Sequence, residues 1–241
     1  MAVHDHARGS TLRPIRLKIG DQWLHGDYGT PSEPRGLVLF AHGSGSGRQS
    51  PRNQFVARVL ERHGLATLLV DLLTEAEGAI DSQTAQFRFD IELLSRRLVA
   101  IVDMLRLGEL TGSLPIGIFG ASTGAGAALV AAAERPKDIA AVVSRGGRPD
   151  LAGAALPKVV APTLLIVGGL DQEVLRLNRD AMARLRGEVV LDIVPGATHL
   201  FEEAGTLEQV ATLAAGWFSR YFAASAASQS PAEPSAFQPF R

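Results

Sequence analysis

The stretches GLVLFA (36–41), LATLLV (65–70), PIGIF (115–119), IAAVVS (139–144) and PTLLIVG (162–168) constrain this 241-residue chain more than any other feature. None alternates apolar with polar residues. A strand with one wet face alternates, whereas an unbroken apolar run is buried on both faces. Segments of helical period lie between them. PRNQFVARVLERHG (51–64) groups Phe55, Val56, Val59 and Leu60 and stops at Gly64. FRFDIELLSRRLVAIVDMLRLG (87–108) sets Ile91, Leu94, Leu98, Ile101, Val102 and Leu105 on one face. Further helices are expected at 122–134, 173–186 and about 203–221. PIRLKIG and QWLHGDYG read as two early strands joined at Gly20-Asp21, EVVLDIV as a late strand, and 71–86 as a polar loop. This alternation predicts an α/β fold, with a mostly parallel central sheet, helices on both faces and right-handed crossovers.

The length suits one such domain, and no internal repeat is visible. Residues 1–13 read as a flexible N-terminus, 14–222 as the domain, and the Ser-, Ala- and Pro-rich 223–241 as a disordered tail. The net charge of -1 gives no support for a nucleic-acid footprint, which needs a clustered basic excess. The absence of cysteine excludes disulfides, thiolate catalysis and cysteine metal sites. The N-terminus lacks an apolar signal core, and no stretch reaches 18 uninterrupted apolar residues. A soluble, cytoplasmic protein without a membrane partner is expected. Oligomeric state is not legible.

In open α/β sheets the working residues lie beyond the carboxyl ends of the strands. Four such loops stand out: HGSGSGR, GASTGAG, GGLDQE and PGATHLF. In the second, Gly120-Ala121-Ser122-Thr123-Gly124 fits the G-x-S-x-G turn that presents a serine between strand and helix. The turn is tight, so small neighbours are needed. The following helix points its amides at the site. A serine hydroxyl needs a base. Of the six histidines, His199 stands after a strand and before the last helix, where a base belongs. A third group must hold its imidazole, and Asp171, after PTLLIVGGL, meets that need while also suiting a helix N-cap. Asp192 lies inside a strand and is less suited. The order Ser122, Asp171, His199 is the hydrolase order. The amides of Thr123 and Ser44 are the expected oxyanion donors. His42 reads as a structural residue of the Ser44 loop.

These loops together resemble the α/β-hydrolase family over roughly residues 14–221, and its compact dienelactone-hydrolase-like branch most. Dienelactone hydrolases proper use a cysteine nucleophile; this chain offers Ser122 instead, which favours serine esterase chemistry. The resemblance implies an acyl-enzyme on Ser122, with His199 as base and Asp171 stabilising the imidazolium, and no metal or organic cofactor. Only about 18 residues, 145–162, separate IAAVVS from PTLLIVG, too few for the helical cap that many hydrolases insert there. The expected substrate is a small ester, lactone or thioester.

Arg145 and Arg148, in RGGRPD, are candidate binders of an anionic substrate group; the alternative is pairing with acids such as Asp71 or Asp150. Two rival functions fit parts of the sequence. Gly120, Gly124 and Gly126 also fit the dinucleotide turn of short-chain dehydrogenases. That turn belongs after the first strand, and neither Tyr28 nor Tyr221 is followed by the required lysine; Ser32 and Ser225 stand there. A P-loop lacks its Gly-Lys-Ser/Thr ending. The second rival is a non-catalytic binding protein on the same fold, which usually lacks one of the three side chains retained here.

Overall fold

The computed structural model describes residues 12–108 and 111–229. Eight strands form one sheet in the order β1-β2-β4-β3-β5-β6-β7-β8. They are β1 (Arg13–Ile19), β2 (Gln22–Gly29), β3 (Leu37–Ala41), β4 (Ala66–Val70), β5 (Ile116–Ala121), β6 (Ile139–Arg145), β7 (Thr163–Gly168) and β8 (Val189–Val194). Strand β2 runs antiparallel to both β1 and β4, and every pairing from β4 to β8 is parallel.

The unbroken apolar runs are explained by two cores, one on each face. Leu37, Leu39, Leu68, Ile118 and Val142 face one core, while Val38, Phe40, Leu69, Phe119 and Val143 face the other. The first is closed by α3 (Ile91–Leu107) and α4 (Thr123–Glu134), the second by α1 (Pro51–Arg62) and α6 (Thr206–Gln229). The expected stripe on α3 is seated accordingly, with Leu94, Leu98, Ile101, Val102 and Leu105 buried. Helix α3 starts later than the pattern suggests, because Asp90 caps it by accepting from the Leu93 amide at 2.9 Å.

Several segments depart from the sequence expectation. The polar loop 71–86 contains a helix, α2 (Glu75–Thr84). It is held by polar contacts. Thr74 and Glu77 form a reciprocal capping box, and Arg97 grips Glu77 with two bonds of 2.6 Å. Its one buried residue is Asp81, which accepts from the Phe87 and Arg88 amides and from the Arg88 side chain. Two short 3₁₀ turns, within Pro149–Lys158 and broken at Gly153 (φ 49°, ψ -117°), fill the span between β6 and β7. Helix α6 runs to Gln229, so residues 223–229, expected in the tail, are helical. Phe222 is buried in the core, and the alanine-rich AASAAS that follows propagates the helix cheaply. Leu12 and Arg13, expected in the flexible N-terminus, are ordered instead, Leu12 against the core and Arg13 at the start of β1; residues 1–11 and 230–241 lie outside the described residues. No helix among the described residues is long and apolar enough to cross a membrane.

Candidate active site

Strands β3, β5, β7 and β8 are parallel, so their carboxyl ends bring the four loops to one edge of the sheet. Ser122 is the corner between β5 and α4. Its backbone sits at φ 49°, ψ -121°, a region that side-chain-bearing residues rarely occupy. Its hydroxyl makes no capping bond to α4. The glycines around it are explained by contact. A methyl group at Gly120 would lie 2.5 Å from the Ala125 Cα, and one at Gly124 would lie 2.3 Å from the Ala41 carbonyl oxygen. Helix α4 can approach β3 and β5 only because both are absent.

His199 and Asp171 meet this serine. The Ser122 Oγ is 3.3 Å from His199 Nε2, and His199 Nδ1 is 2.6 Å from Asp171 Oδ2. An ionised carboxylate only accepts, so Asp171 holds the proton on Nδ1 and leaves Nε2 free to accept from the serine. Asp171 fills its other expected role too, because its Oδ1 accepts from the Val174 amide at 3.4 Å and caps α5 (Gln172–Met182). The three side chains are separated by 28 and 77 positions in sequence.

The loop after β3 lies against the same corner. A methyl group at Gly43 would be 3.1 Å from the Ser122 Cβ. Half-buried Ser44 follows it. Thr123 opens α4, so its amide is among the first-turn donors that have no intrahelical acceptor. Buried His42 fastens this loop. Its Nδ1 bonds the Gly43 carbonyl and its Nε2 accepts from the Leu72 amide, both at 2.9 Å. Burial lowers its pKa and keeps it neutral, as one donor and one acceptor require. Beyond the loop, Gly45, Ser46, Asp71, Thr74, Glu75 and Arg88 border a cavity of about 440 Å³.

The two arginines behave differently. Arg148 closes on Asp150 with two bonds of 2.8 and 2.7 Å, the pairing alternative for that residue. Arg145 is 7% exposed, and its guanidinium points into the core beside α1 rather than over the loops. Burial and neighbouring Arg52 pull its pKa down to about 10. Asp71 pairs instead with Arg48 at 2.6 Å. Among the described residues, no group of three or more His, Asp or Glu could hold a metal ion.

Sequence reasoning missed what positions the histidine. Gly146, at φ 51°, passes beneath it, and a methyl group there would be 3.1 Å from the His199 carbonyl oxygen. Glu203 folds the loop back, accepting from the Thr198 hydroxyl at 2.6 Å and amide at 3.1 Å. Buried Asn178 donates to the Gly147 carbonyl at 2.9 Å. The Gly-Gly pair at 146–147 was the available signal for a close approach.

A strained serine corner, a histidine and a carboxylate at the carboxyl edge of a mostly parallel sheet define the α/β-hydrolase class. No protein-family model matches the chain. Among solved structures, a dienelactone hydrolase from Anabaena variabilis ATCC 29413 is 55% identical, with TM-score 0.87, over 88% of this chain and 99% of that one. Est1E from Butyrivibrio proteoclasticus shares the fold at 17% identity and TM-score 0.72, over 87% and 99%. Two Mycobacterium tuberculosis proteins named "Putative phosphoribosyl transferase" are 60% identical over 216 residues, 89% of this chain. The chain spans 48% of the length of those curated relatives. It belongs to the α/β-hydrolase family, in its dienelactone-hydrolase-like branch.

Proposed function

We propose that this domain is a serine hydrolase that cleaves small carboxylic esters through an acyl-enzyme on Ser122. The observation that carries the reading is the continuous path Ser122–His199–Asp171, with contacts of 3.3 and 2.6 Å, on a strained turn at a helix N-terminus. The Ser122 Oγ attacks the ester carbonyl while His199 Nε2 takes its proton. Asp171 stabilises the resulting imidazolium. The carbonyl oxygen becomes an oxyanion that accepts from the amides of Thr123 and Ser44, an effect of about 3–4 kcal/mol per donor where one has been removed. The carbon–oxygen bond to the alcohol breaks as His199 returns the proton to it. Water then attacks the acyl-enzyme, with His199 again taking the proton, and the acid leaves. These steps call for no metal or organic cofactor.

The substrate's size follows from the span between β6 and β7. It holds two short 3₁₀ turns, broken at Gly153 (φ 49°, ψ -117°), that pack down on α4, where a methyl group at Gly126 would be 2.9 Å from the Leu151 Cβ. That span is too short to add a helical cap that would bury a long acyl chain. Arg148 would have to leave Asp150 to hold an anionic group, so a neutral ester is the proposed substrate class. The phosphoribosyl transferase name belongs to proteins of which this chain matches 48%, and the proposed hydrolase is that portion.

The test is Ser122→Ala on p-nitrophenyl acetate, together with labelling by a fluorophosphonate. We expect kcat to fall at least about 10³-fold and the label to sit on Ser122. A non-catalytic binding protein would give neither label nor burst of p-nitrophenol, and that outcome would replace this reading.

A further inference from the structure

Arg145 has no role in the steps above, yet its placement is costly. It ends β6, and its carbonyl accepts from the Ser122 amide at 3.2 Å, so it stands directly beside the nucleophile's strand. Ala141 and Val143 precede it on the same face and lie in the apolar core. An apolar residue would continue that pattern. The chain instead buries a cation with no carboxylate partner among the described residues, and its charged neighbour, Arg52, is also a cation. Breaking the pattern at such expense points to a task.

Its contacts show what it touches. Nη2 donates to the Asn53 side chain of α1 at 3.2 Å. The guanidinium carbon lies 5.9 Å from the centre of the Phe201 ring, within the range at which a cation is attracted to an aromatic face. The Nε is buried without a partner, so this charge is engaged mainly through that ring and Asn53. Phe201 is two residues beyond His199, is 2% exposed and has a left-handed backbone, φ 56°. Such a conformation persists only where the surroundings hold it. Next to it, Arg52 holds Glu202 at 3.0 Å. Two arginines, one from β6 and one from α1, therefore grip consecutive residues of the loop that carries the histidine.

We propose that Arg145 is a positioning residue, whose buried guanidinium, seated between Asn53 and the face of Phe201, fixes the loop that presents His199 to Ser122 and Asp171. The proposal rests on the serine-hydrolase reading for its kinetic consequence. It has a consequence independent of catalysis as well, because a loosened loop separates His199 from Asp171.

The experiment compares Arg145→Met, which keeps much of the shape without the charge, with Arg145→Lys and the unmodified chain. On p-nitrophenyl acetate we expect Arg145→Met to lower kcat about tenfold or more with KM within twofold, since a misplaced base affects the chemical step rather than binding. Arg145→Lys restores part of the loss. The proton between His199 Nδ1 and Asp171 gives a downfield ¹H resonance, which should weaken in Arg145→Met and persist in Arg145→Lys. That signal reads the loop even if no ester is hydrolysed, so failure of the hydrolase reading and failure of this one are told apart. Phe201→Leu, which leaves the guanidinium in place, should repeat the kcat loss, and the double variant should fall no further. It also serves if Arg145→Met does not fold. Unchanged kcat and an unchanged downfield signal in Arg145→Met, or in Phe201→Leu where that variant stands in, would overturn the proposal. So would a loss confined to the KM of carboxylate-bearing esters, which would make Arg145 an anion-binding residue instead.

Discussion

Ser122 allows the cost of the corner between β5 and α4 to be measured. Its backbone at φ 49°, ψ -121° is accessible to glycine but strained for any residue with a Cβ. Strain of this kind costs about 1–3 kcal/mol. Ser122→Gly removes it but gives the unfolded chain more freedom, worth about 0.4–1 kcal/mol in the opposite direction. Ser122→Ala is the control, because it loses the same 3.3 Å contact to His199 and keeps the Cβ. The glycine variant should therefore be more stable than the alanine variant by about 1 kcal/mol, or about 2–4 °C in Tm for a domain of this size. Both should be inactive on p-nitrophenyl acetate. Thermal unfolding followed by circular dichroism, at matched pH and concentration, gives the comparison. A glycine variant that melts at or below the alanine variant would refute the claim that this turn stores strain.

Asp171→Asn keeps a side chain able to cap α5 but cannot hold the same histidine tautomer, so kcat should fall about 10²–10⁴-fold while Tm moves little; parallel kinetics and melts decide it. His42 is held neutral by burial, with its pKa lowered. The unfolded chain takes up a proton below about pH 6.5 that the folded chain refuses, so His42's contribution is full above that pH and is lost as pH falls below it. In urea titrations, His42→Gln should flatten the decline of stability from pH 6.5 to 5 by up to about 1.4 kcal/mol per pH unit; equal slopes would show that His42 takes up its proton in the folded state too. Acetate to butyrate esters should be preferred to C10 and longer, since an uncapped site gains less than about 0.8 kcal/mol per added methylene; a long-chain optimum in a p-nitrophenyl ester series would contradict the uncapped reading.

The parts of this molecule that were legible in its sequence are those set by local pattern. Short apolar runs without alternation, bounded by turn residues and set between longer helical segments, read as strands covered on both faces, and the two cores flanking β3, β4, β5 and β6 meet that demand. The G-x-S-x-G turn is equally local, because the clashes that Gly120 and Gly124 avoid arise within a few residues or against the adjoining strand. Helix α2 escaped periodicity because its one buried residue is an acid, although its Thr74–Glu77 capping box was there to be read. The end of α6 escaped because an alanine-rich segment after a core aromatic reads equally as helix or as tail. The meeting of Ser122, Asp171 and His199 followed from motif order, but contact across 77 and 28 positions depends on strand order and register, which no window of sequence contains. The arginines show the limit most clearly. Arg145 and Arg148 are three residues apart in one loop-like stretch, yet one ends a strand and points into the α1 side of the core, while the other finds Asp150 at the surface. Which way each side chain goes is decided by strand parity and by what the other elements pack against it, and those neighbours are assembled only by the fold.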